Sequence, residues 1–412
     1  MINRLKEMRK DELVRGSVIL FIVLALFNFL NYVFHISMAR ILGPADFGIL
    51  AALMSIAYIL GIPGEAIQTI SSRYTSTFSA KNDFGKIKDF FYRSLNKSVL
   101  FALGAFTLLI PFAFLFSKLL NIKIGLLLIT NLLVFYIFTI PIGRGILQGK
   151  KKFYVLGWSL IIEAAVKVIF AIIFVFAGLK VYGAIGGVWA GGIIAFAIVL
   201  IALRDIRKFC RVRASFSNVY RTNMPILVAV TAVVIMYSID ILFARAFFSA
   251  EVAGRYAFVS MIGKVIIFVS FAIGKALLPI SSEDFEKGKD TELLFRKALI
   301  LVCIISGIIL AFYGIIPKTI IWLISLGSTQ YVSSSALLFP LGLSYTLLSI
   351  TNVVILYKVS INKMGRSWIF LIFSAIQALA WILFHGTVLE FAYSFLFVNA
   401  IMFLYSIFFI KR

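Results

Sequence analysis

The sequence is poor in charge, in acid and in the residues that carry most enzymatic chemistry. Only 14 % of its 412 residues are charged, against roughly a quarter in ordinary soluble domains, and 62 % are hydrophobic. That balance excludes a soluble enzyme and a disordered chain. Cysteine is nearly absent, with Cys210 and Cys303 alone, which rules out a disulfide-stapled secreted domain and offers no metal-ligand spacing. The two histidines are His35 and His385. No stretch matches the phosphate-cradling G-x-x-x-x-G-K-[ST] loop, so the chain is not expected to hydrolyse ATP. Polar segments are short as well. None leaves room for a nucleotide-binding domain, or for the large outer loop expected of a membrane glycosyltransferase or polymerase.

What is present is a succession of long apolar runs. A helix needs about 20 mostly apolar residues to cross a bilayer, and the hydrophobic share of 412 residues supplies about twelve such helices. The runs are too long for the alternating strands of about 10 residues that build an outer-membrane barrel. Polar breaks place the spans near 16–39, 47–72, 95–117, 123–145, 154–178, 183–203, 222–246, 254–280, 296–316, 333–357, 367–384 and 387–410. The run beginning at Ser17 is longer than the apolar core of a signal peptide and has no small-residue cleavage site, so it reads as a retained first helix.

A net charge of +23 on a soluble protein would suggest nucleic acid. Here position decides against that reading. With the N-terminus inside, thirty of the 40 basic residues fall in the cytoplasmic segments and seven in the outer ones, alternating without exception. The positive-inside rule therefore puts both termini in the cytoplasm of a multi-pass protein of the cell membrane. Anionic lipids are the expected partners of its cytoplasmic edge, with no nucleic acid.

The halves of the chain repeat each other. His35-Ile36-Ser37-Met38-Ala39-Arg40 aligns with Asp240-Ile241-Leu242-Phe243-Ala244-Arg245, and Asp46 and Gly48 align with Glu251 and Gly254. Gly64-Glu65-Ala66-Ile67-Gln68-Thr69-Ile70-Ser71-Ser72 aligns with Gly274-Lys275-Ala276-Leu277-Leu278-Pro279-Ile280-Ser281-Ser282, five of nine being identical. Both copies start in the cytoplasm, which makes this a parallel repeat about an axis along the membrane normal. The expected fold is an all-α integral membrane protein of about twelve transmembrane helices, in two pseudo-symmetric six-helix lobes around a central cavity. Residues 1–204 form the N-lobe, 205–218 a basic cytoplasmic linker and 219–412 the C-lobe.

Ionisable groups at membrane depth are costly and mark function unless they are paired. Lys167, Lys264 and Lys275 are the lysines inside spans. Glu65 and Lys275 are symmetry mates of opposite charge in the inner half, and so are a candidate gate or a static ion pair. Glu163 and Lys167, four apart, have the spacing at which opposite charges meet on one helix face; they read as internal neutralisation or as a coupling site. Lys264 and Lys275 are eleven apart, three helical turns, and form a candidate cationic stripe. Arg144 at the inner end of its span is either one more cytoplasmic charge or a ligand for an anionic head group. His35 reads as structural or as a proton carrier. Asp240, isolated in the seventh span, is the stronger coupling carboxylate. Pro63 beside Glu65 and Pro279 after Lys275 place a bend next to each charge.

The motifs bear a resemblance. Ala39-Arg40-Ile41-Leu42-Gly43-Pro44-Ala45-Asp46-Phe47-Gly48 resembles the helix 1–2 signature of the polysaccharide-transporter flippases of the multidrug/oligosaccharidyl-lipid/polysaccharide exporter superfamily. Leu147-Gln148-Gly149-Lys150-Lys151-Lys152-Phe153 with Glu163, Gly183-Ala184-Ile185-Gly186, Ala253-Gly254-Arg255-Tyr256 and Leu278-Pro279 resemble its later patterns. The resemblance covers essentially the whole chain, its weight lying in order and spacing, and it extends to the lipid-linked peptidoglycan-precursor flippases, which usually carry additional helices. It implies a V-shaped twelve-helix protein that moves a polyprenyl-(pyro)phosphate-linked oligosaccharide to the outer leaflet in exchange for protons or sodium, working as a monomer alongside glycan-assembly enzymes. Arg40, Arg144, Lys264 and Lys275 are then the candidate substrate ligands. His35, Glu65, Glu163, Lys167 and Asp240 are the candidate coupling or gating groups. No resident cofactor or metal is implied. A multidrug extruder of the same fold and a non-transporting scaffold for glycan assembly are the alternatives. The buried basic residues argue for an anionic cargo.

Overall fold

The computed structural model describes residues 2–213, 224–361 and 368–411, with side chains for most of them from residue 22 onward. These residues are helical nearly throughout and include no strand. The first helix, α1 (Ile2–Ala80), is 79 residues long, about 118 Å at 1.5 Å per residue, far more than one bilayer crossing. It is broken at Gly43, whose φ of 72° and ψ of 171° lie where glycine alone sits without strain, so the first two expected spans are the two arms of one bent helix.

The following spans appear as α2 (Phe84–Leu119), α3 (Ile124–Asn131) with α4 (Leu133–Gly149), α5 (Phe153–Phe174) and α6 (Lys180–Ala202). The second half supplies α7 (Met224–Phe247), α8 (Ala250–Gly263) with α9 (Val265–Glu286), and α10 (Glu292–Ile315). A short helix α11 (Pro317–Ile324) comes next, and a 3-10 segment (Thr329–Leu337) leads into α12 (Leu338–Ser360). α13 (Ile369–Leu383) and α14 (Val388–Lys411) end the order. About twelve membrane spans result, as expected from the apolar runs. Unforeseen is α11, which starts at a proline and buries Ile321 while exposing Trp322 and Leu323. That pattern suits a helix lying in the membrane–water interface.

Two compact units divide the chain, one of Met1–Leu42 with Leu60–Val219, the other of Gly43–Ile59 with Tyr220–Arg412. In the first unit α6 packs along α5. Gly183, Gly187 and Gly191 recur every fourth residue along one face of α6, and a methyl group on them would lie 2.6–2.7 Å from backbone atoms of α5. Such a small-residue stripe lets membrane helices approach closely where no hydrophobic effect drives them together. At its polar end this unit fastens the start of the linker. Buried Asp89 accepts from Arg211 at 2.7 Å and lies 3.3 Å from Arg93, while Lys88 donates to the Phe209 carbonyl at 2.8 Å. Asp205 accepts from Lys150 and Lys152 at 2.8 and 2.9 Å. Partial burial pushes the Asp205 carboxyl up, but the two lysines outweigh it and hold the group below the usual carboxylate range. Its pairing is therefore present above the ordinary carboxylate value and is lost only as pH falls through that lowered one. Residues 214–218 of the expected linker lie outside the described residues.

The second unit contains the stretch 43–59, which the repeat assigns to the first copy. Phe47, Leu50 and Leu53 are fully buried there, with Phe47 edge-on to Phe258 and Tyr331. Gly48 and its repeat mate Gly254 meet backbone to backbone. A methyl group on Gly48 would lie 2.9 Å from the Gly254 Cα, and one on Gly254 only 1.7 Å from the Pro44 carbonyl oxygen.

Two outcomes follow from this packing. Gly254→Ala should lower thermal stability in detergent by about 1–3 kcal/mol, as overpacking does, whereas Gly104→Ala, with nothing within 4 Å, should be neutral or stabilising by up to about 1 kcal/mol; equal melting temperatures would contradict the contact. Asp89→Asn should speed tryptic cleavage at Arg207, Lys208 or Arg211 several-fold, and an unchanged digestion rate would show that the clasp does not hold the linker.

Candidate functional site

Each unit holds a buried carboxylate joined to a buried cation. In the first, Tyr136 and Arg144 come from α4 and Ser159 and Glu163 from α5. The Arg144 guanidinium forms an ion pair with Glu163 through Nη2 and donates to the Ser159 hydroxyl and carbonyl at 3.1–3.2 Å. Tyr136 donates to the other Glu163 oxygen. Arg144 and Glu163 are each 7 % exposed. Gly191 of α6 lies against the Glu163 backbone, so the glycine stripe closes this cluster from the side.

One turn further along α5, Lys167 turns to α1. Its ammonium donates to the Asn31 side-chain oxygen and lies 4.6 Å from the centre of the Phe34 ring. The Asn31 amide nitrogen is held by the Phe27 carbonyl at 2.8 Å, which fixes the amide with its oxygen toward the lysine.

In the second unit Asp240 of α7 is fully buried. One carboxylate oxygen accepts from Lys264 at 3.0 Å. The other accepts from Ser260 at 2.5 Å, from Tyr345 of α12 at 2.9 Å and from Tyr256 at 3.4 Å. Tyr256, Ser260 and Lys264 follow one another at four-residue intervals and so face α7 together.

These placements correct several sequence expectations. Glu163 and Lys167 are not a directly bonded pair, because a guanidinium from the neighbouring helix takes Glu163 and Asn31 takes Lys167. Arg144 is not a free cytoplasmic charge; α4 continues to Gly149 and carries it a turn inside. Asp240 is not isolated, and Lys264 is not a free cation, since each has the other. The stripe from Lys264 to Lys275 is interrupted where α8 ends at Gly263 and α9 begins at Val265. Arg40 and Glu65 are exposed, and half-buried His35 packs edge-on against Phe34 at 5.3 Å. The side chain of Lys275 lies outside the described residues. Sequence reasoning missed Tyr136, Ser159, Asn31, Tyr256, Ser260 and Tyr345; the four-residue ladder leading to Lys264 was the one signal that could have revealed some of them. Among the described residues no cluster of three or more His, Cys, Asp or Glu could hold a metal ion.

Against known families, residues 13–285 match the polysaccharide biosynthesis protein family. The chain belongs to that family. An uncharacterized membrane protein of Methanocaldococcus jannaschii is 24 % identical over 379 residues, 80 % of this chain and 85 % of that one. Among solved structures, an inward-facing multidrug resistance transporter of the MATE family in the MOP superfamily superposes with a TM-score of 0.77 at 14 % identity, covering 93 % of this chain and 94 % of the other. A MOP superfamily transporter from Pyrococcus furiosus, described as having a binding pocket of reversed polarity, gives 0.64 at 16 % identity over 98 % and 96 %. At such identities the likeness is one of fold. This member of the polysaccharide biosynthesis family thus has the fold of MOP superfamily transporters, and its long apolar helices make it a multi-pass membrane protein.

Removing one partner of a buried ion pair strands the other, at a cost of about 3–5 kcal/mol, whereas removing both together is far milder. Lys264→Met in this family member should therefore lower the melting temperature sharply, and Asp240→Asn combined with Lys264→Met should restore most of the loss. Equal effects of the single and double changes would show that the two groups do not pair.

Proposed function

We propose that this protein is a transporter, a flippase that carries polyprenyl-phosphate- or pyrophosphate-linked oligosaccharide from the cytoplasmic to the outer leaflet by alternating access, driven by a proton or sodium gradient. One combination carries this reading: a polysaccharide biosynthesis family match on a transporter fold. A transporter dedicated to glycan synthesis must handle a cargo with an anionic phosphate, a large polar glycan and a tail that can remain in lipid. The chain would work in the cell membrane with both termini in the cytoplasm, as a monomer, its basic edge against anionic lipids and beside glycan-assembly enzymes.

The Asp240–Lys264 cluster is the coupling element of this reading. A proton arriving on Asp240 would cancel the charge that holds Lys264, and a sodium ion would compete with it for the same oxygens. The Arg144–Glu163 pair suits that task less well, because a guanidinium stays charged at any physiological pH and grips a carboxylate with several fixed donors. Drug export is the second reading, favoured by the MATE likeness. It calls for an acidic or neutral binding surface, whereas the depth charges here do not lean to the acidic side.

Reconstituted into liposomes, the protein should flip a short-glycan polyprenyl-pyrophosphate lipid, and an imposed pH or sodium gradient should speed the process. Asp240→Asn should abolish the gradient response, and Asp240→Asn with Lys264→Met should test the same loss in a stable protein. Flipping that ignores both gradients would remove the coupling assignment; ethidium export without any lipid flipping would replace the flippase by the extruder.

A further inference from the structure

The charges at depth differ in what meets them. In the second unit Lys264 is bonded to Asp240, and Arg245 and Lys358 are buried as well. In the first, Glu163 is bonded to Arg144, while Lys167, one turn along α5, lies within reach of the Glu163 charge but bonds directly to an amide oxygen and lies against an aromatic face. Lys167 is 14 residues beyond the start of α5 at Phe153, and Asn31 is 12 residues before the bend at Gly43. At 1.5 Å per residue these are about 21 and 18 Å from the respective helix ends, near the middle of the membrane. The side chain has not snorkelled to either surface, as a lysine with no task at that depth would do. Asn31, itself oriented by the Phe27 carbonyl, and the Phe34 ring hold the ammonium in place. An ammonium has three N–H donors. The amide uses one, and the half-buried position leaves donors for a ligand.

We propose that Lys167, positioned by Asn31 and Phe34, is the ligand for the phosphate of the lipid-linked cargo. The assignment rests on the flippase reading and moves the anion-binding role away from Arg144 and Lys264, whose charges are already met. It also removes Lys167 from the coupling groups. The ligand class is a phosphate or pyrophosphate monoester or diester on a lipid.

Binding to the purified full-length protein in detergent, compared for undecaprenyl phosphate and undecaprenol, tests the proposal. The wild type should prefer the phosphate, Lys167→Arg should keep most of that preference, and Lys167→Met should lose it by about tenfold or more, the value of one charge-assisted hydrogen bond. Lys167→Met strands no opposite charge, so its melting temperature should stay close to the wild type's; the double change Asn31→Leu with Lys167→Met covers the case in which the bare amide destabilises the fold. If wild type prefers the phosphate and Lys167→Met prefers it equally, the assignment to Lys167 is overturned while the flippase reading stands. If the wild type does not distinguish the two lipids, both are overturned.

Discussion

Charge cannot be left alone inside a bilayer, and this constraint organises the polar interior of the protein. An ionised side chain at membrane depth costs several kcal/mol unless another group meets it. Each unit answers with a carboxylate joined to a cation on a neighbouring segment and to a set of hydroxyl groups. Contact at hydrogen-bond distance between side chains on different helices requires the backbones to stand close. Close backbones require small residues. The glycines of α6 serve that requirement on the other side of α5, where any side chain at Gly191 would displace the Glu163 backbone. Packing and electrostatics are one arrangement here.

The two clusters are nonetheless built from different chemistry. Arginine presents a planar fork that stays charged, and Arg144 spends its donors on both Glu163 and Ser159. Lysine is a compact point charge that can let go. Lys264 touches a single oxygen of Asp240, while the hydroxyls of Ser260 and Tyr345 keep the other oxygen satisfied whatever the lysine does. The first cluster is thus the more static and the second the more easily switched. Under the flippase reading, binding and coupling divide along the same line, with the anion ligand in the first unit and the ion-responsive pair in the second.

Most of the fold was legible because a bilayer imposes a length, and runs of apolar residues record it. What stayed hidden was set by contacts between helices. The spacing of Glu163 and Lys167 correctly shows that they share a face of α5, but it cannot show that Arg144, nineteen residues earlier, reaches that face first. Arg144 itself was misread because α4 ends at Gly149 rather than near residue 145, and one extra turn converts an edge charge into a buried one. Asp240 looked isolated for a related reason: its neighbours in sequence are apolar, and its partners come from α8, from the joint after it and from α12. Periodicity describes one helix at a time. Ion pairs between helices need the bundle.

A fold shared with drug exporters at 14 % identity does not by itself say what is carried. Selectivity must then come from the few groups whose charge the scaffold leaves unbalanced. Paired charges contribute little to it, since Arg144–Glu163 and Asp240–Lys264 each present a nearly neutral assembly to anything outside. The +23 of the whole chain contributes little as well, because most of its basic residues lie in the polar segments between the apolar runs. Lys167 differs from those pairs: its half-buried ammonium, one turn from Glu163, bonds directly to an amide oxygen and lies against an aromatic ring. Under the flippase reading that ammonium attracts a phosphate and repels a cationic drug. The sign of a charge placed at depth, more than the architecture, would then separate a carrier of anionic lipids from an extruder of cations built on the same helices.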